Sequence, residues 1–178
     1  MLTLEQFEKY TPKKSYPPKQ ADLLAALNEA MAEADITTSL RIAHFLGQIS
    51  TETGNFKWFT EIGSEDYFKK YDGRHDLGNT HPGDGPRYKG RGMLQLTGRA
   101  NYTSVGTALG LDLVNHPEIA AELVAGARIA GYYWTTHHIN PLADKDDVLG
   151  VTKKINGGTN GLKERKEWTA KAKKVLGI

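Results

Sequence analysis

Two glutamates nine residues apart are the first side chains in this 178-residue chain that suit catalysis. Glu52 falls in the last turn of a helix predicted by the spacing of Ile42, Phe45 and Ile49, at the edge of that apolar stripe. A helix C-terminus and apolar neighbours disfavour negative charge, so this position favours a protonated carboxyl. Glu61 follows in a predicted loop, where water keeps a carboxylate ionised. Such a pair suits a general acid and a general base, as in glycosidases; the alternative is a solvated pair at a helix end.

A second segment offers neutral hydrogen-bonding groups beside glycines. Residues 88–102 read Tyr-Lys-Gly-Arg-Gly-Met-Leu-Gln-Leu-Thr-Gly-Arg-Ala-Asn-Tyr. The glycines permit close backbone approach, and Gln95, Thr97 and Asn101 provide donors and acceptors for sugar hydroxyl and acetamido groups. A phosphate cradle is disfavoured, because the segment lacks the Gly-Lys-Ser/Thr ending of a P-loop and the strand that precedes a dinucleotide-binding turn. A purely structural turn that leads into a helix is the alternative.

A zinc site is the main metal-dependent alternative, as in cell-wall amidases and peptidases. His75, Asp76, His81 and Asp84 are of the residue types that ligate zinc. They lie in a glycine-rich loop, however, and no His-Glu-x-x-His pattern occurs in the chain. We therefore expect a protein that uses no metal and no other cofactor.

The elements that position these residues are predicted to be helical. A capping box of Thr3 and Gln6 begins the first helix, and a turn at residues 11–18 ends it. Apolar periodicity predicts further helices over 20–34, 38–52 (with Thr37 or Thr38 as N-cap), 101–109, 117–134, 144–155 and 162–176. Between 73 and 98, seven glycines and two prolines in 26 residues mark a long polar loop, where we expect a cleft wall. No alternating strand appears, so the predicted class is mainly α.

Composition narrows the functional classes. With 39% hydrophobic residues, 25% charged residues and no cysteine, the chain suits one globular domain in a reducing cytoplasm, without disulfides or thiolate metal sites. Its longest apolar run, residues 23–27, is far shorter than the ~18 residues of a membrane span. The N-terminal residues include acids where a signal peptide has a basic segment. A net charge of +2 is too small to indicate nucleic-acid binding. We expect a monomer with no nucleic-acid partner and no stable membrane insertion.

Three motifs in order resemble glycoside hydrolase family nineteen, the chitinase-like group that includes many bacteriophage endolysins. They are Glu-Thr-Gly at 52–54, Gly-Arg-Gly-Met-Leu-Gln-Leu-Thr at 90–97 with Asn-Tyr at 101–102, and Ile-Asn-Gly-Gly at 155–158 followed by Asn-Gly at 160–161 and Arg165. Each motif is weak alone, but the ordered combination is specific. The resemblance implies a lysozyme-like, two-lobed helical domain around a saccharide cleft. Residues 1–178 would form a single catalytic domain, in which 1–38 pack on the part, 39–178, that carries the motifs.

The resemblance also implies a role for each site residue. Glu52 corresponds to the general acid, Glu61 to the base that activates water, and Thr97 to the hydroxyl that helps to hold that water. The substrate-binding residues implied by position are Tyr88, Gln95, Asn101, Asn156 and Arg165. Within this set, the arginine is implied to organise the charges of the cleft.

The chain departs from the family pattern around both carboxyls. Thr51 and Asn55 stand where the family usually has His and Gly around the acid, so the hydrogen bonds of the acid are expected to differ. The segment after Glu61 lacks the usual asparagines, and its Glu65 and Asp66 compete with Glu61 for the role of base.

The function predicted from this resemblance is that of an endolysin. It would hydrolyse β-1,4 glycosidic bonds of bacterial peptidoglycan with inversion, after accumulating in the host cytoplasm until release to the cell wall. A chitinase acting on N-acetylglucosamine polymers is the first alternative; a zinc-dependent amidase or peptidase and a non-catalytic saccharide-binding protein follow. From Lys163 to Lys174, six basic and two acidic side chains favour contact with anionic envelope polymers, or simply form a solvated helix face.

Overall fold

The computed structural model describes residues 1–11 and 19–178, and their regular structure is helical. The α-helices are α1 (Leu4–Tyr10), α2 (Gln20–Glu33), α3 (Ser39–Glu52), α4 (Glu65–Phe68), α5 (Asp84–Arg87), α6 (Arg99–Leu109), α7 (Leu123–Thr136), α8 (Asn140–Ala143), α9 (Val148–Asn156) and α10 (Leu162–Leu176). Three 3₁₀-helices cover Lys69–Tyr71, His75–Leu77 and Pro117–Ala121. The mainly α class predicted from the sequence is confirmed.

Local capping determines where the helices begin. The predicted capping box at Thr3 and Gln6 is present, and the Thr38 hydroxyl accepts a hydrogen bond from the Arg41 amide at 3.3 Å. At the other end of α3, Gly54 follows the C-cap with a φ of +58°, a left-handed conformation that glycine adopts easily. These helix boundaries are confirmed. The turn predicted at 11–18 lies, apart from Thr11, outside the described residues.

Two predicted helices are wrong in extent. The segment predicted as one helix over 117–134 is broken at Glu122, whose ψ of 150° is extended, into a 3₁₀-helix and α7. The helix predicted over 144–155 begins only at Val148, because the Asp147 carboxylate caps it by accepting from the Gly150 amide at 2.8 Å. Ahead of it, Asn140–Ala143 forms the separate short helix α8.

Two clusters of buried side chains define two lobes. The larger core joins α1, α2, α3, α7 and α10, and includes an edge-to-face pair of Phe45 and Trp134 with ring centroids 5.4 Å apart. The smaller core contains Tyr88, Tyr102, Leu113, Ala120 and Ile129. Helix α7 supplies residues to both, so it runs where the lobes meet.

The N-terminal helices belong to the larger core. The Phe7 ring lies edge-on to Phe56 at 5.7 Å, and the Tyr10 hydroxyl lies 2.7 Å from the hydroxyl of Ser50 in α3. Helix α1 is therefore packed against α3, which carries Glu52, and α2 packs against α1 and α7. Within the ranges 1–11 and 19–178, no helix is long and apolar enough to cross a membrane.

The glycine-rich segment 73–98 folds through short helical turns and an extended stretch. Arg91 forms isolated antiparallel bridges with Thr60 and with Leu96, the two β-type pairings found among the described residues. The buried Asn79 side chain joins this segment to its neighbours: it donates to the Tyr71 carbonyl at 2.9 Å and accepts from the Arg99 amide at 2.8 Å. The segment predicted as a cleft wall is thus held at several points.

Candidate active site

Close packing of α3 against α10 positions Glu52. Gly47 makes this approach possible, because a Cβ added there would lie only 3.0 Å from the Thr169 backbone nitrogen. The face of α3 turned to α10 carries Gln48 and, one turn later, Glu52. The polar ends of both side chains meet the same residue of α10, Arg165.

Arg165 is buried, and each nitrogen of its guanidinium group donates a hydrogen bond. One of its Nη atoms donates to Glu52 Oε1, the other donates to Gln48 Oε1 at 2.6 Å, and Nε donates to the Asn160 carbonyl at 3.1 Å. The carboxyl of Glu52 therefore has a buried cation beside it in addition to the apolar neighbours expected from the helix pattern. Only 2% of Arg165 is exposed, and its guanidinium is occupied by Glu52 and Gln48.

Glu61 is half-buried in a loop and both of its carboxylate oxygens are held. The Tyr71 hydroxyl donates to Oε1 at 3.0 Å, and the Gly90 amide donates to Oε2 at 3.1 Å. The Glu61 amide in turn donates to the Gly90 carbonyl at 2.8 Å. The loop predicted for Glu61 is present, but the carboxylate is oriented by the protein rather than left to solvent alone.

A glycine at position 90 lets two functional side chains meet. A Cβ added there would lie 2.8 Å from Gln95 Oε1 and 3.1 Å from Glu61 Oε2. Both distances are shorter than ordinary contacts of a Cβ atom. The carboxylate and the amide of Gln95 therefore converge over the bare backbone of Gly90.

A cleft of about 550 Å³ lies between the two cores. Gln95, Thr97 and Asn101 line one stretch of it and are linked in series: the Thr97 hydroxyl donates to the Gln95 carbonyl at 2.9 Å, and the Asn101 amide donates to the Thr97 carbonyl at 2.8 Å. The other lining residues include Leu94, Leu96, Val105, Ile129, Tyr132, Tyr133, Thr136, His137 and Ile155. An apolar cleft with a few convergent amides and hydroxyls suits a sugar polymer.

Each carboxyl is a neighbour of a residue that lines this cleft. Tyr133 lines it, and the pKa of Tyr133 is raised by burial and further by the negative charge of Glu52. Glu61 approaches the cleft-lining Gln95 over Gly90. The two carboxyls are held by different partners, a buried guanidinium for Glu52 and neutral donors for Glu61.

Asn156 presents an unpaired acceptor at the end of α9. Its Oδ1 atom is buried and accepts no hydrogen bond from any described residue, and the preceding residue, Ile155, lines the cleft. A buried amide oxygen without a donor is unfavourable, so a bound ligand that supplies an N–H or O–H would relieve that cost. Gly157 ends the helix with a φ of +74° and leaves this side chain at the terminus.

Tyr88 does not line the cleft. It is 1% exposed, its hydroxyl donates to the Val114 carbonyl at 3.0 Å, and its ring packs 5.2 Å from that of Tyr102 in the smaller core. The assignment of Tyr88 to substrate binding is therefore corrected: the residue packs and has no free surface to offer.

The competing carboxylates sit apart from these contacts. Glu65 and Asp66 begin α4 on the exposed surface, and Asp66 pairs with Lys69 at 2.7 Å. Of Glu61, Glu65 and Asp66, Glu61 is the one that lies beside Gln95.

The residues considered for zinc are used in other ways. Asp76 pairs with Arg74, and the buried Asp84 accepts two hydrogen bonds from Arg99, at 2.9 and 2.5 Å. The Arg99 guanidinium lowers the pKa of Asp84. Within the described part of the chain, no three side chains of metal-ligating type lie together. The geometry gives the zinc alternative no support.

Sequence reasoning missed two residues around the carboxyls: Gln48, which holds Arg165, and Tyr71, which donates to Glu61. Gln48 lies four residues before Glu52, so the helical period places both on one face of α3, and this spacing was a usable signal. Tyr71 reaches Glu61 through the turns between them, and no pattern in the sequence marks it out. Tyr71 is found only from the contact of its hydroxyl with Glu61.

A mainly helical, two-lobed domain with a cleft between its two cores is the architecture of a lysozyme-like glycoside hydrolase. Comparison with known families gives the particular group: the model of glycoside hydrolase family 19, described as Chitinase class I, matches residues 20–153. The chain belongs to glycoside hydrolase family 19. It is accordingly a chitinase-like enzyme that hydrolyses glycosidic bonds.

Relatives are found in bacteria and plants. A glycosyl hydrolase family 19 domain-containing protein of Haemophilus influenzae is 30% identical over 180 residues, covering 85% of this chain and 88% of that protein. Chitinase 8 of rice is 37% identical over 112 residues, which are 61% of this chain but only 40% of the plant protein. Chitinase C from Streptomyces griseus HUT6037 superimposes with a TM-score of 0.78 at 24% identity, over 99% of this chain and 77% of that one. This last likeness establishes the fold.

Proposed function

We propose that this enzyme cleaves the β-1,4 glycosidic bonds of bacterial peptidoglycan with inversion, with Glu52 as general acid and Glu61 as general base. The observation that carries the proposal is that two differently held carboxyls each neighbour a residue of one cleft, Tyr133 for Glu52 and Gln95 for Glu61. Unlike environments for two carboxyls are what an acid and a base require.

Glu52 is supported as the acid by its contact with Arg165. The guanidinium holds Oε1, and no hydrogen bond from a described residue reaches Oε2, which is left to carry the proton. When that proton passes to the leaving glycosidic oxygen, the carboxylate that forms is stabilised by the adjacent positive charge. The second hydrogen bond from Arg165 to Gln48 fixes the guanidinium in this position.

Glu61 is supported as the base by its two neutral donors. Each carboxylate oxygen accepts one hydrogen bond, from Tyr71 or from Gly90, and each retains lone-pair capacity for a water molecule. Thr97, in the adjacent cleft wall, would help to hold that water. Direct attack by the water on the face of the sugar opposite Glu52 gives a single displacement and therefore inversion.

Amide side chains are proposed to bind the sugar. Gln95 and Asn101 lie on the cleft wall, and the buried Oδ1 of Asn156 lacks a donor. These groups match the hydroxyl and acetamido groups of N-acetylated sugars, which both donate and accept hydrogen bonds. Arg165 remains a positioning residue in this scheme.

The basic surface of α10 supports an anionic wall polymer as substrate. Two of its six basic residues are already paired, Arg165 with Glu52 and Lys173 with Asp146. Four lysines against two glutamates remain on this helix: Lys163, Lys166, Lys171, Lys174, Glu164 and Glu167. The unpaired side chains thus carry a smaller positive charge than the full count over 163–174, but the charge is still positive, which favours attraction to a negatively charged envelope. We propose that the enzyme acts there as a monomer in a lytic, endolysin-type role, after release from the cytoplasm.

Chitin is the second candidate substrate. It is favoured by the plant relatives, since Chitinase 8 of rice is 37% identical over the matched region. Chitin and peptidoglycan share the β-1,4 linkage and the acetamido groups that the proposed binding residues would contact, so the cleft residues alone accommodate both.

Product analysis on purified substrates tests the proposal. Mass spectrometry of digested peptidoglycan identifies which bond is broken, and a parallel digest of chitin oligosaccharides gives the relative kcat/KM. We expect glycan cleavage in peptidoglycan. Release of peptide fragments with intact glycan would instead overturn the proposal in favour of an amidase or peptidase, and cleavage of chitin alone would assign the second candidate.

Substitution of the carboxyls tests the catalytic roles. Glu52→Gln and Glu61→Gln are each expected to lower kcat by at least ~10²–10⁴-fold, the usual contribution of general acid or base catalysis. Glu65→Gln and Asp66→Asn are the matched controls and should retain activity. If Glu61→Gln stays active and one of the two controls loses activity, the general base is Glu65 or Asp66 and not Glu61.

A further inference from the structure

We propose that Tyr71 is the positioning residue of the general base: its hydroxyl fixes the rotation of the Glu61 carboxylate so that one lone pair faces the attacking water. The inference rests on the proposed function, in which Glu61 is the base. It adds a group from the segment after Glu61, outside the three motifs that carry the family resemblance.

The hydrogen bonds to Glu61 define a plane for its carboxylate. Tyr71 donates to Oε1 at 3.0 Å from one side, and the Gly90 amide donates to Oε2 at 3.1 Å from another. A carboxylate held at one oxygen only can still rotate about its last bond, because that torsion is broad and soft. Holding both oxygens removes this freedom, so the lone pairs that remain point in fixed directions.

Tyr71 is itself firmly placed. Its carbonyl accepts from the buried Asn79 side chain at 2.9 Å, and its ring stacks on Phe68 at 6.5 Å with an interplanar angle of 21°. The Lys70 ammonium lies 4.7 Å from the ring centroid. Positioning by a rigid, packed donor costs little conformational entropy at the moment of catalysis.

The chemistry of a phenol suits this role. Burial raises the pKa of the Tyr71 hydroxyl and the hydrogen bond to Glu61 raises it further, so the group keeps its proton and remains a donor throughout the neutral range. A neutral donor orients the carboxylate without cancelling its charge. A lysine in this position would weaken the basicity that the attacking water needs.

Tyr71→Phe tests the inference, with Tyr67→Phe as its matched control. The phenylalanine retains the ring stacked on Phe68 and removes only the hydroxyl. Tyr67 lies four residues earlier, is 47% exposed and makes no hydrogen bond to Glu61. We expect kcat of Tyr71→Phe to fall by about 10- to 100-fold, the equivalent of one hydrogen bond to a charged group, with KM changed little. Tyr67→Phe should match the wild type.

The division of the loss between kcat and KM separates positioning from mere packing. A misoriented base slows the chemical step without weakening the binding of substrate, so the loss should fall on kcat and not on KM. The melting temperature of the variant should stay near that of the wild type. An unchanged kcat, or a loss confined to KM, would overturn the inference.

Combination with Glu61→Gln distinguishes this inference from the proposed function. If Glu61→Gln itself is active, the base has been misassigned and the proposed function fails. If Glu61→Gln is inactive and Tyr71→Phe is normal, only the inference fails. If both assignments are right, adding Tyr71→Phe to Glu61→Gln should cause no further loss of residual activity, because Tyr71 acts only through the basic carboxylate that Glu61→Gln has already removed. An additive loss would show that Tyr71 acts elsewhere.

Discussion

Replacing Gly90 by alanine would add a single methyl group between two site residues. The added Cβ would lie 2.8 Å from Gln95 Oε1, 3.1 Å from Glu61 Oε2 and 3.3 Å from Glu61 Cβ. Ordinary contacts begin near 3.4 Å, so the amide must withdraw by about 0.6 Å and the carboxylate oxygen by about 0.3 Å. The backbone at Gly90 is not in the left-handed region, so alanine brings no conformational strain of its own.

The expected loss follows from the contacts that must shift. Moving Glu61 Oε2 away lengthens its hydrogen bond from the Gly90 amide, now 3.1 Å, and moves the cleft-lining Gln95 at the same time. A hydrogen bond to a charged group contributes about 1.5–3 kcal/mol, which corresponds to roughly 10- to 100-fold in rate. Both crowded groups are ends of side chains, which can move without unfolding the chain. We therefore expect kcat to fall by this factor with little change in melting temperature.

The assay is the initial rate on purified peptidoglycan and on chitin oligosaccharides, with a thermal melt of the same sample. Gly131→Ala provides the contrast, because there an added Cβ would meet backbone, 3.0 Å from the Ala30 carbonyl oxygen between α2 and α7. That variant should lose thermal stability. Wild-type kcat in a folded Gly90→Ala enzyme would refute the reasoning that Glu61 and Gln95 work together over Gly90.

Three further predictions concern stability and metal independence. The Arg99 contact lowers the pKa of Asp84, so the stabilisation that this ion pair provides is present above pH ~4 and is lost as pH falls through the folded-state pKa. In denaturant melts, Asp84→Asn should therefore cost about 1.5–3 kcal/mol of unfolding free energy at pH 7 and nothing at the acid end. The exposed Asp76→Asn is the control and should change the free energy of unfolding little. Burial lowers the pKa of His44, so the unfolded state binds a proton more readily than the folded state, and the stability of the protein should fall as pH drops below ~6.5. In thermal melts, His44→Gln should reduce this dependence of the melting temperature on pH. An unchanged pH dependence would contradict the role given to His44. Chelator should leave hydrolysis of purified peptidoglycan unchanged, and activity restored by added zinc would contradict this.

Local chemistry made much of the fold predictable. The Thr38 cap, Gly54 after α3 and the periodic Leu162–Leu176 helix are all encoded in short stretches of sequence. The break at Glu122 was not visible, because Ile119 and Leu123 continue the apolar period across it. At the break the Ala120 carbonyl lies close to Gly92, a contact with a distant part of the chain that the local pattern does not contain.

The candidate site was predictable to the extent that motifs carried it. Gln95 and Asn101 were expected at the cleft from residue type, and they line it. Tyr88 was misassigned because its place in a motif says nothing about which way its side chain points, and it points into the smaller core. The cation beside Glu52 comes from a helix more than a hundred residues away, so apolar periodicity around α3 could not reveal it.

The stereochemistry of the first product tests the central claim most directly. Proton NMR of a β-linked oligosaccharide, read before mutarotation, reports which anomer the enzyme releases. If Glu52 protonates the leaving oxygen while Glu61 activates water on the opposite face, the first product is the α-anomer. An initial β-anomer would mean retention through a covalent intermediate, and it would contradict the role of Glu61 as general base.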